Sequence, residues 1–215
     1  MFSTPALVEA RLSRVLAALA LIWLGASLVW LQAGDAAFAH WLAAPPFNTR
    51  WRAVFRFLSE WGMVGFYLLF LGVLARGFAR GESHLRQIGL AYLYAQIFGS
   101  IILVRMLKIG CGRPRPGAEE AGEAFCTGPT LEGAFHSFPS GHTTDLIVSA
   151  LFIAIFVRSR GAGVLAMLLA FGVAISRMVL GSHHMSDVLA GALIGALVTW
   201  LALRRYLLPR WRACA

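Results

Sequence analysis

The sequence predicts an all-α, polytopic membrane protein of six transmembrane helices, and three observations carry that prediction. Of 215 residues, 59% are hydrophobic and only 13% charged, more apolar surface than one soluble core of this size can hide. The apolar residues fall in six runs long enough, or nearly so, to cross ~30 Å of hydrocarbon at ~1.5 Å per residue. The basic residues between those runs collect on one side of a six-pass weave.

The runs lie at about 15–33, 61–77, 87–107, 142–157, 161–180 and 187–203. Arg11 and Arg14 precede the first. Arg76, Arg80 and Arg86 separate the second from the third, Arg158 and Arg160 the fourth from the fifth, and Arg204, Arg205, Arg210 and Arg212 follow the sixth. By the positive-inside rule both termini are expected in the cytoplasm. The first run, with Ala37-Phe38-Ala39 beyond it, also imitates a secretory signal, but it is longer than a usual signal core, so a retained helix is the expectation. On the other side stand Arg50, Arg52 and Arg56, on an amphipathic stretch, and Lys108, Arg113, Arg115 and Arg177, beside polar motifs.

No repeat or low-complexity segment divides the chain, so a single domain over residues 1–215 is expected. One long polar stretch, 109–140, forms an outside loop. It holds Cys111 and Cys126, whereas Cys214 lies at the cytoplasmic end. A Cys111–Cys126 disulfide would need an oxidising compartment; two unpaired thiols are the alternative. Glu119, Glu120, Glu123 and Glu132 make the loop acidic, either as a solvated surface or as a lid pairing with the outer arginines. The net charge of +9 comes with no nucleic-acid motif or aromatic-basic stripe, so no nucleic-acid partner is expected.

Three segments place ionisable residues at outer helix ends: Lys108 to Pro116, Ser137 to Asp145, and Ser176 to Asp187. A phosphoryl group in transfer needs cations and N–H donors around its oxygens, a nucleophile on one side and an acid on the other. Lys108, Arg115 and Arg177 offer the cations. Ser140 and Gly141, opening a helix, offer backbone N–H groups and the positive end of its dipole. His142 and His183 fall at the same depth, one to attack phosphorus and one to protonate the leaving oxygen. Asp187, four residues beyond His183, can reach that imidazole on a helix, fix its tautomer and support its charge, which makes His183 the nucleophile. Asp145 could reach His142 only across a tight turn; a neighbouring helix is its other partner. His184 points elsewhere, as a structural or rim residue. Gly191 and Gly195 form a small face suited to helix packing within the bundle.

Lys108-x6-Arg115-Pro116, then Pro139-Ser140-Gly141-His142, then Ser176-Arg177-x5-His183-x3-Asp187 together resemble the tripartite signature of the type 2 phosphatidic acid phosphatase superfamily, in its membrane branch. The likeness covers roughly residues 60–205. It implies a metal-independent, cofactor-free lipid phosphatase at the outer, periplasmic face of a bacterial inner membrane. His183 would be phosphorylated, His142 would protonate the leaving group, and Asp187 would orient His183. Lys108, Arg115, Ser140, Gly141 and Arg177 would hold the phosphate, with Arg113 outside that set. A lipid phosphate in the bilayer is the expected partner, with no obligate protein partner. Prenyl diphosphate, phosphatidate and phosphatidylglycerol phosphate are the leading substrates, and lipid A phosphatase or lipid phosphotransferase the alternatives. A non-catalytic lipid binder or transporter is the distant alternative; a soluble vanadium haloperoxidase, which shares this anion site, is disfavoured by the six spans.

Overall fold

The computed structural model describes residues 5–44, 50–116, 118 and 125–213. Glu119, Glu120, Glu123 and Cys214 lie outside the described residues, so the lid reading of the acidic loop stays open; Glu132 within them is exposed. Among the described residues the chain is helical, without strands. The elements are α1 (Pro5–Ala43), α2 (Arg52–Trp61), α3 (Val64–Ala79), α4 (Ser83–Cys111), α5 (Gly141–Phe156), α6 (Arg160–Val179) and α7 (Met185–Trp211).

Among the described residues, five stretches are long and apolar enough to cross a membrane: Pro5–Asp35, Arg52–Ala79, Ser83–Cys111, Arg160–Val179 and Met185–Trp211. The sixth predicted span is α5, 16 residues long, or roughly 24 Å at 1.5 Å per residue. It is the innermost helix. Leu146, Val148, Ala150, Leu151, Phe152 and Ile155 are all buried, and α1, α4, α6 and α7 pack around it. Such a helix meets protein rather than lipid, so its length is not tied to the full hydrocarbon thickness. Elsewhere the apolar side chains turn outward: Leu21 is 72% exposed, Leu68 66% and Leu168 62%. That is the pattern of a bundle whose solvent is hydrocarbon.

Most helices run past their apolar windows, because polar and amphipathic ends extend beyond the hydrocarbon. The stretch bearing Arg52 and Arg56 is α2, which leads almost directly into α3. In α1 the helix breaks at Gly34, whose φ of 72° is left-handed and suits a residue without Cβ. This break sets the direction of Asp35. At the end of α4, Gly112 takes φ 59° and closes the helix by donating its N–H to the Lys108 carbonyl. A side chain there would collide with the Gly128 carbonyl of the outside loop.

Gly191 and Gly195 face α5. A Cβ on Gly191 would stand 2.5 Å from the Ser140 carbonyl oxygen, and one on Gly195 2.9 Å from that of Thr144. The glycine face therefore serves packing inside the bundle, and Thr144 Oγ1 spans the contact by donating to the Gly191 carbonyl at 3.1 Å.

Candidate active site

At one end of the bundle the C-terminus of α4, the N-termini of α5 and α7, the C-terminus of α6 and the loop after Gly112 converge. His183 is buried there. It precedes α7 instead of lying on it, because His184 is the N-cap and the helix begins at Met185. Its Nδ1 sits 2.7 Å from the Ser137 carbonyl oxygen. A carbonyl can only accept, so Nδ1 carries the proton and Nε2 keeps its lone pair. Asp187 is 3.7 Å from the same nitrogen, close enough for charge and too far for a hydrogen bond. The helical reach expected between His183 and Asp187 is thus replaced by a loop geometry in which the Ser137 backbone holds the ring.

The Asp187 carboxylate is fully buried and bound from several sides. Oδ2 accepts from Ser137 Oγ at 2.5 Å and from the His184 amide at 2.8 Å, while Oδ1 accepts from Arg113 at 2.5 Å. Arg113 is itself buried. It also reaches Asp35 of α1 at 2.7 Å and Ser186 at 2.6 Å. Asp35 closes the ring by accepting from the Ser186 amide and hydroxyl at 3.0 and 2.5 Å. One guanidinium between two carboxylates, each with further donors, meets the condition under which buried charge is tolerated. Neither Asp35 nor Ser137 is singled out by the motif spacing. The available signal for Asp35 was an acid at the end of an otherwise apolar span.

The cationic residues gather as expected, with differences in detail. Lys108 Nζ donates to the His136 carbonyl at 2.6 Å. Arg177 donates to Ser59 Oγ of α2 at 2.7 Å, a partner absent from the motifs. The Nε atoms of Arg115 and Arg177 are buried and donate to no acceptor among the described residues. The charges of Lys108, Arg115 and Arg177 all act on His142, and those of Lys108 and Arg177 on His183. Burial, and then the charges of Lys108 and Arg177, hold the His183 imidazole down to about 4, with Asp187 opposing them.

Ser140 is fully buried and its own N–H is taken by the Asp187 carbonyl at 3.0 Å. Its side chain accepts from Thr143 Oγ1 instead of capping α5. The first-turn amides from Gly141 onward thus remain as the donors of the helix end. His142 and Gly141 line a cavity of about 330 Å³ with Lys108, Asp145, Met63 and Val104. Asp145 does not bond His142; it accepts from Tyr67 Oη of α3 at 2.9 Å. His184 turns its ring toward the Pro114 carbonyl, 3.3 Å away. Such an arrangement can seat a tetrahedral anion between two imidazoles, with arginine donors at its flanks.

Residues 88–211 match the family model described as the PAP2 superfamily. The chain belongs to the PAP2 superfamily. The lipid A 1-phosphatase of Rhizobium johnstonii is 36% identical to this PAP2 chain over 115 residues, 53% of this chain and 45% of that one. The undecaprenyl-diphosphatase of Bacillus subtilis is 25% identical over 150 residues, 69% and 71% of the two chains. This PAP2 chain spans less than half the length of the Rhizobium lipid A 1-phosphatases that it matches. A transmembrane PAP2 type phosphatidylglycerolphosphate phosphatase from Bacillus subtilis superimposes with a TM-score of 0.52 at 21% identity, over 86% of this chain and 92% of that one. That likeness concerns the fold. With its apolar helices, it makes this PAP2 chain an integral membrane protein.

Proposed function

We propose that this chain, acting as one domain, is a membrane lipid phosphatase that hydrolyses a lipid phosphomonoester or diphosphate through a phosphohistidine. The observation that carries the reading is the pair of histidines beside Lys108, Arg115 and Arg177, with the two arginine Nε atoms turned to no acceptor among the described residues. His183 Nε2 attacks phosphorus and the bond to the leaving oxygen breaks, while His142 gives that oxygen its proton. Water, giving its proton back to His142, then splits the phosphorus–nitrogen bond and releases inorganic phosphate. Lys108, Arg115, Arg177 and the Gly141 amide hold the non-bridging oxygens, and Ser140 positions Gly141. Asp187 supports the charge on His183, and the Ser137 carbonyl sets its tautomer.

The tail enters from the bilayer, because the apolar side chains of Met63, Ile101 and Val104 also line the His142 cavity. The motif end of the bundle faces the periplasm of a bacterial inner membrane, with both termini cytoplasmic. Supporting this are the arginines at the opposite end and the Cys111–Cys126 disulfide of the outer loop, which belongs to an oxidising compartment. The names of the relatives define the substrate panel: lipid A 1-phosphate, undecaprenyl diphosphate and phosphatidylglycerol phosphate, with phosphatidate beside them. Purified protein in detergent, given each lipid in turn, is expected to release inorganic phosphate from at least one. No release from any of them, or transfer of the phosphate only to another lipid, would remove the hydrolase reading.

A further inference from the structure

At the end of the bundle opposite the histidines, residues of α1, α6 and the end of α5 line two adjoining cavities. The first, about 300 Å³, is lined by Arg11, Arg14, Arg158 and Arg160 together with Leu7 and Val157. No carboxylate lines it, and none of the four arginines forms an ion pair among the described residues. The second, about 470 Å³, shares Arg14, Val15, Ala154 and Arg160 with the first and continues as an apolar groove past Ile22, Val164, Leu168 and Phe171. Arg14, Ala18 and Ile22 follow one face of α1 at every fourth residue, and Arg160, Val164, Leu168 and Phe171 follow one face of α6. From Arg160 to Phe171 the groove runs roughly 16 Å at 1.5 Å per residue.

Arg76 at this end pairs with Glu82 at 3.2 Å and Arg204 with Glu9 at 3.9 Å, whereas Arg11 and Arg14 turn to backbone. Arg11 donates to the Ile155 and Val157 carbonyls at 3.0 and 3.1 Å, closing the C-terminal end of α5, and Arg14 Nε donates to the Ala10 carbonyl. The N-terminus of α6, capped by Ser159, adds its dipole to the same corner. The positive charge therefore exceeds what the protein neutralises, and it stands at the head of a channel that only an apolar chain would fill.

We infer that this cavity and groove bind an anionic phospholipid of the leaflet opposite the histidine site, with its phosphate among Arg11, Arg14, Arg158 and Arg160 and an acyl chain between α1 and α6. The site is separate from the reacting histidines by the length of α5. Its occupant would tie α1, which supplies Asp35, to α5 and α6.

The test is native mass spectrometry of the full chain in a neutral detergent, titrated with phosphatidylglycerol, phosphatidylcholine, inorganic phosphate or glycerol 3-phosphate. Wild type should retain phosphatidylglycerol in preference to the other three. Losing two arginines, in R14Q/R160Q, should weaken that binding roughly thirtyfold. R80Q/R205Q, which removes two exposed charges outside the cavity, should not. Val164→Trp, filling the groove with the arginines intact, should also weaken it, and unchanged gel-filtration volume establishes that each variant is folded. Equal retention of phosphatidylcholine, equal loss in R80Q/R205Q, or wild-type binding by R14Q/R160Q would overturn the inference. So would binding of free phosphate as tight as that of the lipid and lost in R14Q/R160Q, which leaves the histidine site intact.

Discussion

His183 is held neutral by its surroundings, and its titration is where the site is most exposed to experiment. An ordinary imidazole takes up its proton near 6.5, whereas burial first, and the neighbouring cations next, hold this one down to about 4. Between those values the folded chain keeps the Nε2 lone pair that attack requires. The acid limb of kcat/KM should therefore fall well below pH 6; a limb centred on 6.5 would remove His183 from the nucleophile role. His183→Ala should reduce phosphate release to background, and His142→Ala should cost about 10²–10⁴-fold, the range for loss of general acid–base help. A phosphoenzyme trapped on any other residue would contradict this assignment. Asp187→Asn reaches further than the chemistry. It leaves Arg113 with Asp35 on one side and a neutral amide on the other, so the loss stays below the about 3–5 kcal/mol of a buried pair broken outright. Residual turnover together with a clearly lowered melting temperature is the expected outcome, and full stability would mean that the carboxylate does not anchor Arg113.

Between elements, the contact of α5 with α7 fixes the site more than any single side chain does. Ser140, the N-cap of α5, accepts no cap bond of its own; its amide is tied to the Asp187 carbonyl of α7, and Gly191 lies against its carbonyl. Close packing leaves no space for a side chain at that position. Gly191→Leu should push α5 from α7, displacing His142 and Gly141 from the cations on α4 and α6. Activity should fall at least tenfold with substrate affinity worsened, whereas Gly172→Leu, where a Cβ meets nothing within 4 Å, should be near neutral. The sequence already shows the small face of α7, but not which helix it meets, because a spacing of four marks a face and not its partner.

For the whole molecule, the outer loop is joined to the bundle by Cys111 and Cys126. The neighbouring Phe125 lies 4.0 Å from the Arg113 guanidinium, so the crosslink also covers the ion-pair ring behind the site. In the chain-entropy model a loop of this size is worth roughly 3 kcal/mol. Cys126→Ser should shorten the half-life of activity on heating in detergent, and reductant should do the same to wild type but not to the variant. Metal chelators should leave turnover unchanged, because His183, His142 and the cations supply the nucleophile, acid and charge without one. Inhibition by chelator that one metal ion reverses would refute this. Vanadate, a phosphate mimic, should compete with the lipid.

The six-pass plan, the polar ends bearing Lys108, Arg115, His142, Arg177 and His183, and the family followed from the sequence alone. Hydrocarbon imposes a length and a polarity on every span, and phosphoryl transfer restricts which residue types can stand together. Tertiary structure decided what those residues touch. The Ser137 carbonyl beside His183, Asp35 at the far side of Arg113, Ser59 on Arg177 and Tyr67 on Asp145 all join positions distant in the chain. Such pairs depend on how helices cross and where Gly34 and Gly112 turn the backbone. Local spacing cannot encode them, because it fixes the face of one helix and leaves open the element that packs against it.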